Sequence, residues 1–224
     1  MSLPDGLCKM NPVLRINEIF HSIQGESTRT GDPCVFVRLT GCNLRCVWCD
    51  TEYAFHEGRD MSVVEVLERV LSYGCRMVEI TGGEPLLQAD VIPLMEELVQ
   101  RNQIVLLETG GSLSIADVPR GVRRILDVKC PGSGEADRNR WENLEHLREG
   151  DELKFVLAHR EDYEWAVRQI ERHELAGRCP LLFSPVDGKL SAGEMADWVL
   201  EDRLPVRVQI QLHKLLWPGV HRGV

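Results

Sequence analysis

Apolar, β-branched segments alternate with helical patterns along most of the chain, and this alternation constrains the fold more than any other feature. The segments that we interpret as buried strands are residues 34–39, 77–81, 104–108, 124–128, 153–157, 181–184 and 206–212. Strands that alternate with helices over short connections normally pair in parallel. The sequence therefore predicts an α/β fold built on a parallel sheet.

Two serine residues mark helix starts between these strands. Ser62 stands three residues before Glu65, and Ser191 stands three residues before Glu194, the spacing of a capping box. The first helix is expected to end near Gly74, and further helical patterns cover residues 90–101 and 161–173. The chain has 224 residues, whereas a complete eight-unit barrel typically needs ~250. We therefore predict one domain, residues 1–224, that forms an abbreviated parallel β/α barrel; an open doubly wound sheet is the competing architecture.

Composition and charge exclude several classes of function. Hydrophobic residues make up 43% of the chain and charged residues 27%, as in globular proteins, and the net charge is -9. Lysine and arginine form no stripe, so we expect neither a nucleic-acid partner nor a membrane partner. No apolar run approaches the ~18 residues of a membrane span, and residues 1–6 lack the pattern of a secretory signal. We expect a soluble, cytoplasmic protein.

Three of the eight cysteines lie within "GCNLRCVWCDT", residues 41–51. Cys42, Cys46 and Cys49 have the spacing C-x3-C-x2-C. Structural zinc and electron-transfer [4Fe-4S] clusters both use four protein ligands, whereas three thiolates on a four-iron cube leave one iron open. We therefore predict a [4Fe-4S] cluster with an open position; zinc with a distant fourth ligand, or no metal, are the alternatives. The remaining cysteines are interpreted as unreactive thiols in a reducing compartment: Cys8, Cys34, Cys75, Cys130 and Cys179.

Conspicuous motifs follow four consecutive predicted strands. The cysteines come after the strand at 34–39, "TGGEP" (81–85) after the next, "ETGG" (108–111) after the third, and "DVK" (127–129) ends the fourth. In β/α barrels the reactive residues lie on loops at the carboxyl ends of the strands. These motifs are therefore expected to meet in a single large active site.

The cysteine spacing, with Trp48 just before the last cysteine, resembles the signature of radical S-adenosylmethionine (SAM) enzymes, and "TGGEP" resembles their second hallmark. The resemblance implies that SAM chelates the open iron and yields a 5′-deoxyadenosyl radical that abstracts hydrogen. Gly82 and Gly83 would leave backbone carbonyls free for the SAM ammonium group. Glu84 would either help that contact or brace the loop.

A longer stretch, "NEIFHSIQGESTRTGDPCVFVRLTGCN" (17–43), resembles the 7-carboxy-7-deazaguanine synthase family, and the similarity runs from Ile16 to the end of the chain. It implies conversion of 6-carboxy-5,6,7,8-tetrahydropterin to 7-carboxy-7-deazaguanine, with ring contraction and release of ammonia, on the route to queuosine-type deazapurines. It also implies Mg2+ as a further cofactor, an electron donor such as flavodoxin, and a homodimer.

The family resemblance also assigns roles residue by residue. Thr51 would ligate Mg2+. The implied SAM contacts are Trp48, Asp50, Gly83, Glu84, Asp127, Lys129, Ser184 and Asp187. The implied substrate contacts are Ile23, Gln24, Gly25, Glu26, Arg38, Thr81 and His213, with the planar fork of Arg38 suited to a carboxylate. The chain departs from the family pattern at Asp127, where serine is usual, and at Ser184, where glutamine is usual.

Two other functions share the cysteine triad. A small radical SAM activase of a glycyl-radical protein would act on a polypeptide, and would not need both the "IQGE" loop (23–26) and Thr51. A non-catalytic iron–sulfur carrier would bind the cluster without cleaving SAM. Both alternatives can be separated from a pterin-converting enzyme by assay.

Overall fold

The computed structural model describes residues 12–224; the stretch 1–6 and Cys8, interpreted above, lie outside that range. Within it, nine strands form one sheet in the order β3-β1-β2-β4-β5-β6-β7-β8-β9. The strands are β1 (Val13–Ile23), β2 (Pro33–Leu39), β3 (Arg59–Ser62), β4 (Met77–Gly82), β5 (Ile104–Thr109), β6 (Val122–Val128), β7 (Glu152–Leu157), β8 (Leu181–Pro185) and β9 (Arg207–Val208). The helices are α1 (Val63–Leu71), α2 (Val91–Gln100), α3 (Arg160–Arg172), α4 (Ala192–Glu201) and α5 (Leu212–Leu216).

Most of the sheet is parallel, as the sequence predicts. Strand β2 pairs in parallel with β4, and each later strand pairs in parallel with the next, through to β9. The α/β class and the partial-barrel architecture are confirmed. Two strands, β1 and β3, are additional to the prediction. Strand β1 pairs antiparallel with both β2 and β3.

The last predicted strand, 206–212, is wrong in extent. Only Arg207 and Val208 pair with β8, followed by one further bond from the Gln209 amide to the Phe183 carbonyl at 2.9 Å. The chain then leaves the sheet, and the Leu212 amide donates to the Gly25 carbonyl at 3.0 Å as α5 begins. This departure carries α5 onto the loop that follows β1.

The capping prediction at Ser62 is confirmed. The Glu65 amide donates to Ser62 Oγ at 3.2 Å, and the Ser62 amide donates to Glu65 Oε2 at 2.7 Å. At Ser191 only the first half of the box forms among the described residues, with the Glu194 amide 3.5 Å from Ser191 Oγ. None of the helices in 12–224 combines the length and hydrophobicity of a membrane span.

The two faces of the sheet have different neighbours. The outer face packs against the helices through a large apolar cluster that includes Val37, Ile80 and Leu107. The inner face has a small apolar cluster of Phe20, Cys34, Phe36, Met77, Leu106 and Ile125. Because side chains alternate along a strand, the next inward positions are polar: Arg38 on β2, Glu79 and Thr81 on β4, Glu108 on β5 and Asp127 on β6. The inner face is therefore apolar near the amino ends of the strands and polar near their carboxyl ends.

Strand β1 reaches this inner face through a bulge. Its pairing with β2 shifts register between Ile16 and Glu18, which leaves Asn17 as the extra residue. Before the bulge Leu14 and Ile16 pack in the outer cluster, whereas beyond it Phe20 packs in the inner one. The bulge therefore reverses which residues of β1 point inward.

A buried ion pair holds the connections around β6 that lack an α-helix. The Arg124 guanidinium, fully buried, donates through Nε to Asp151 Oδ2 at 3.0 Å. It also donates to the Ile115 carbonyl at 3.3 Å and to the His146 carbonyl at 2.6 Å. The Arg124 guanidinium thus connects the segment between β5 and β6 and the segment between β6 and β7 to the sheet, and it satisfies one backbone carbonyl of each segment.

Candidate active site

A cavity of about 800 Å³ opens at the carboxyl ends of the parallel strands. This volume lies near the upper end of the ~300–1,000 Å³ usual for small-molecule sites, so more than one ligand can fit. Every residue that the sequence assigns to the site lines this cavity, with the exception of Glu84. The structure therefore brings together residues from position 23 to position 213.

The three cysteines of the loop after β2 lie on one wall. Cys42 Sγ accepts from the Leu44 amide at 3.4 Å, and the Cys49 amide donates to the Cys46 carbonyl at 3.1 Å, so the loop turns tightly. Burial raises the pKa of the Cys46 thiol to about 11, although the nearby Lys129 ammonium opposes the shift. A metal must therefore displace a proton to bind there.

The donor set fits an iron–sulfur cube better than a single ion. Among residues 12–224 no three His, Cys, Asp or Glu side chains converge as one metal ion would require, although Cys42, Cys46 and Cys49 share a cavity wall. Thiolates that ligate three corners of a four-iron cube are spread wider than those around one zinc ion. The three thiols border one cavity, where they could together ligate such a cube.

The "GGEP" loop packs directly on the cysteine loop. A Cβ at Gly83 would collide with the Gly41 carbonyl and lie 2.7 Å from Cys42 Cβ, so only glycine fits. Glu84 is fully buried behind the wall, where its carboxylate accepts from Thr109 Oγ1 at 2.9 Å and from the Gly110 amide at 2.8 Å. Of the two roles that the sequence suggests for Glu84, the geometry favours bracing over direct contact with SAM.

Asp127 offers a free acceptor in the cavity. Its Oδ2 pairs with Lys129 Nζ at 3.0 Å, while its buried Oδ1 has no partner among the described residues. A buried oxygen without a partner is costly, and a ligand hydroxyl or amino group would satisfy it. Ser184 and Asp187 also line the cavity, and the Lys189 ammonium lies 5.3 Å from the centre of the Trp48 ring.

Lys154 and the carboxylates of Glu26, Glu108 and Asp127 line the cavity together and form the Lys154 cluster. Lys154 Nζ lies 2.8 Å from Glu26 Oε2 and 3.7 Å from Asp127 Oδ2, and it also contacts the Glu108 carboxylate. Burial acts to raise the pKa of Glu108, but the Lys154 charge outweighs it and the pKa is lowered. Glu108 therefore stays ionised at neutral pH.

Glu79 lies beside this cluster and behaves differently. It is buried, and it accepts a hydrogen bond from Gln24 Nε2. Burial and the charge of Glu108 together hold the pKa of Glu79 well above its usual range. The carboxyl groups of Glu79 on β4 and Glu108 on β5 thus differ in protonation, because only Glu108 contacts Lys154.

Lys154 and Glu79 are absent from the site assigned by sequence, and Glu108 enters it only as the first residue of the "ETGG" motif, with no role of its own. The signal that could have found them is a charged residue within a run that otherwise reads as a buried strand, such as "MVEIT" or "ELKFV". A buried charge in a strand is rare unless it is paired or lines a site. Tyr53 and Gln211 also line the cavity and were missed, since each lies in an irregular segment.

The loop after β1 meets α5. A Cβ at Gly25 would collide with the His213 imidazole, so the glycine allows the ring to pack against the backbone. Gln211 Nε2 donates to Glu26 Oε1 at 2.8 Å and to Asp50 Oδ2 at 3.2 Å. Residues 24–26 and 211–213 therefore form one wall, next to the Lys154 cluster.

A family model described as the radical SAM superfamily matches residues 36–131. Two relatives, both 7-carboxy-7-deazaguanine synthases, are each 47% identical to this chain. The one from Koribacter versatilis (strain Ellin345) aligns with 94% of this chain over 100% of its own length. The one from Chlorobaculum tepidum aligns with 94% of this chain over 97% of its own length.

Among solved structures, the crystal structure of QueE from Escherichia coli superposes with a TM-score of 0.76 and covers 90% of this chain and 95% of that chain. The two sequences are 23% identical, so this comparison shows a common fold.

The partial barrel, the three-thiol loop at its mouth and the family match define a radical SAM enzyme, a class that uses a [4Fe-4S] cluster and SAM. Within this superfamily the chain belongs to the 7-carboxy-7-deazaguanine synthase family, whose members are lyases. The resemblance seen in the sequence is confirmed.

Proposed function

We propose that the cavity converts 6-carboxy-5,6,7,8-tetrahydropterin to 7-carboxy-7-deazaguanine with release of ammonia. The observation that carries the proposal is that the three thiols, the Gly83 loop and the Lys154 cluster line one cavity. Cys42, Cys46 and Cys49 would hold the cluster. When bound, the cluster and SAM supply the radical that abstracts a hydrogen atom from the substrate.

The Lys154 cluster suits the pyrimidine edge of a pterin. That edge carries several N–H donors beside one carbonyl, so it needs carboxylate acceptors and one donor. Glu26 and Glu108 offer carboxylate oxygens, and Lys154 and Gln24 offer N–H donors, all within the same cavity. Thr81 and Ile23 would border the substrate, and His213 would contact it from α5.

The substrate carboxylate would lie near Arg38 and Thr51. Burial acts to lower the pKa of Arg38, but neighbouring Tyr53 and Glu18 outweigh it, so the guanidinium remains charged. Thr51 Oγ1 lies 3.7 Å from Cys49 Sγ, beside the predicted cluster. A Mg2+ ion on Thr51 would take its other oxygen ligands from the substrate and from water, because one hydroxyl cannot complete an octahedron.

The test of the reaction is a direct assay. Reconstituted and reduced enzyme, mixed anaerobically with SAM and the carboxytetrahydropterin, should form 7-carboxy-7-deazaguanine and one equivalent of ammonia. Protein that binds the cluster but cleaves no SAM would be an iron–sulfur carrier. Protein that cleaves SAM but leaves this pterin unchanged would contradict the substrate assignment and reopen the activase alternative.

The Mg2+ site predicts a specific response to substitution. Thr51→Ala should reduce the rise in turnover that Mg2+ gives to metal-stripped enzyme, because a methyl group cannot ligate a hard cation. Misplacing the reacting carbon by ~1 Å can cost ~100-fold in rate, so product formation should fall far more than SAM cleavage. The measurement is the ratio of product to cleaved SAM, with and without Mg2+. Equal ratios in both proteins would remove Thr51 from the site.

Several partner properties complete the proposal. A reduced one-electron carrier such as flavodoxin would supply the electron, and two copies of the chain would form a homodimer in the cytoplasm. Residues 1–224 would act as one domain, which the single sheet of the described residues supports. Size-exclusion chromatography with light scattering tests the dimer, and reduction of the cluster by a purified flavodoxin tests the donor.

A further inference from the structure

Among residues 12–224, one edge of the Arg38 guanidinium is hydrogen-bonded and the other edge is not. Its Nε donates to Glu18 Oε1 at 2.9 Å, and this is the one hydrogen bond that Arg38 makes through its side chain in the described residues. Arg38 lines the cavity, and both side chains are largely buried, 13% exposed for Arg38 and 18% for Glu18. Nη1 and Nη2, which form the other edge of the guanidinium, therefore remain available to a ligand.

The bulge in β1 places Glu18 at this position. In a regular strand Glu18 would share the face of Leu14 and Ile16, which lies against the helices. The register shift instead pairs Glu18 directly with Arg38 on β2. The Asn17 side chain donates to the Glu57 carbonyl at 2.7 Å, which fixes the bulge.

Tyr53 is a second donor to the same carboxylate oxygen. Its hydroxyl donates to Glu18 Oε1 at 2.9 Å, and its pKa is raised to about 12, chiefly by burial. The Arg38 guanidinium carbon lies 5.9 Å from the centres of both the Tyr53 and Phe20 rings. Glu18 thus accepts hydrogen bonds from two donors, and Arg38 lies close to two aromatic rings.

We propose that Glu18 is a positioning residue that orients the free edge of Arg38 toward the carboxylate of the substrate. The inference rests on the proposed function, in which Arg38 binds that carboxylate. A guanidinium binds a carboxylate best through two parallel N–H bonds, so its orientation matters as much as its charge. Glu18 takes the Nε bond and thereby reserves Nη1 and Nη2 for the ligand.

The test compares two ligands in reconstituted enzyme under anaerobic conditions. The affinities for the carboxytetrahydropterin and for the same tetrahydropterin without its carboxylate are measured by equilibrium dialysis, and their ratio reports the carboxylate contact. Glu18→Ala should lower the preference for the carboxylated ligand about 10-fold. A hydrogen bond to a charged group changes an affinity by roughly that factor. Glu18→Gln retains an acceptor oxygen for Nε and should recover part of the ratio.

Controls separate positioning from structural damage. Asp60→Ala removes a carboxylate from an exposed ion pair with Arg15 and should leave the ratio unchanged. If Glu18→Ala weakened the binding of both ligands equally, the role of Glu18 would be structural only, and the inference would be overturned. The double variant Glu18→Ala/Arg38→Ala should show the same affinity ratio for the two ligands as Arg38→Ala alone, because Glu18 acts through Arg38.

The same measurement distinguishes the two proposals. If Arg38→Ala preserves the wild-type ratio, Arg38 does not bind the carboxylate, and both the assignment of Arg38 and the role of Glu18 fail. If Arg38→Ala abolishes the preference while Glu18→Ala keeps it intact, the proposed function stands and the role of Glu18 alone is wrong.

Discussion

Replacing Cys46 with alanine should remove the iron–sulfur cluster and abolish SAM cleavage completely. In the proposed cluster each of the three thiols would ligate one iron, and within residues 12–224 no other cysteine lines the cavity to replace a lost ligand. The measurements are the iron content, the visible absorption of the anaerobic protein and the yield of 5′-deoxyadenosine after reduction. Near-normal turnover in this variant would contradict the radical SAM mechanism for this chain.

Cys34→Ala is the matched control. Cys34 is fully buried at the apolar end of the inner face, and it does not line the cavity. Burial raises the pKa of its thiol strongly, so it stays protonated and is a poor metal ligand. This variant should keep its iron and its turnover. Loss of the cluster in Cys34→Ala would mean that the ligands are misassigned.

Replacing Lys154 with methionine should have the largest effect among substitutions that leave the cysteines intact. The change removes the cation that Glu26, Glu108 and Asp127 share, so Glu26 and Glu108 lose their ion pair inside the cavity, whereas Asp127 keeps its contact with Lys129. Breaking a buried ion pair in this way costs about 3–5 kcal/mol. We expect the free energy of unfolding at neutral pH to fall by that order, and product formation to be lost.

The pH dependence of the Lys154→Met variant has a definite sign. In the parent protein the pKa of Glu108 is lowered, so its stabilisation is present above the pKa of the unfolded chain and is lost as pH falls. Without Lys154 the remaining influences, burial first, should raise that pKa. The stability deficit of the variant should therefore shrink as the pH falls below neutrality. Urea unfolding of both proteins at several pH values measures this.

Lys189→Met is the comparison for Lys154→Met. Lys189 is exposed and lies over the Trp48 ring, so its removal changes the net charge equally without uncovering a buried carboxylate. Surface substitutions of this kind usually alter stability by less than ~0.5 kcal/mol. A deficit of similar size in both variants, or one that does not depend on pH, would show that Lys154 does not act through the buried carboxylates.

The sequence predicted the parallel part of the sheet well, because those strands are buried on the outer face and have simple apolar patterns. It missed β1 because the bulge at Asn17 interrupts the alternation: Leu14 and Ile16 point outward, whereas Phe20 points inward. It overextended β9 because residues 206–212 alternate regularly, although only two of them have a neighbouring strand to pair with. Pairing at a sheet edge depends on tertiary contacts that a local pattern does not contain.

The site was predictable where a motif carries the chemistry and not where the fold does. Cys42, Cys46 and Cys49 are recognisable by spacing alone. Glu108 and Lys154 come from strands 46 residues apart and contact each other through the barrel interior. Their partnership exists only after β5, β6 and β7 are placed side by side. Likewise, nothing in the sequence distinguishes Glu18 from other polar residues until the register of β1 against β2 is known.

The bulge in β1 also makes this strand tolerate shortening at one point only. Deleting Asn17 would leave Leu14 and Ile16 facing the helices and Glu18 and Phe20 facing the interior, because Asn17 is the extra residue of the bulge. Deleting one residue elsewhere between Val13 and Ile23 would exchange inside for outside along part of the strand. Over evolutionary time, descendants of this chain should therefore accumulate length changes in β1 at Asn17 and lose those that arise on either side of it.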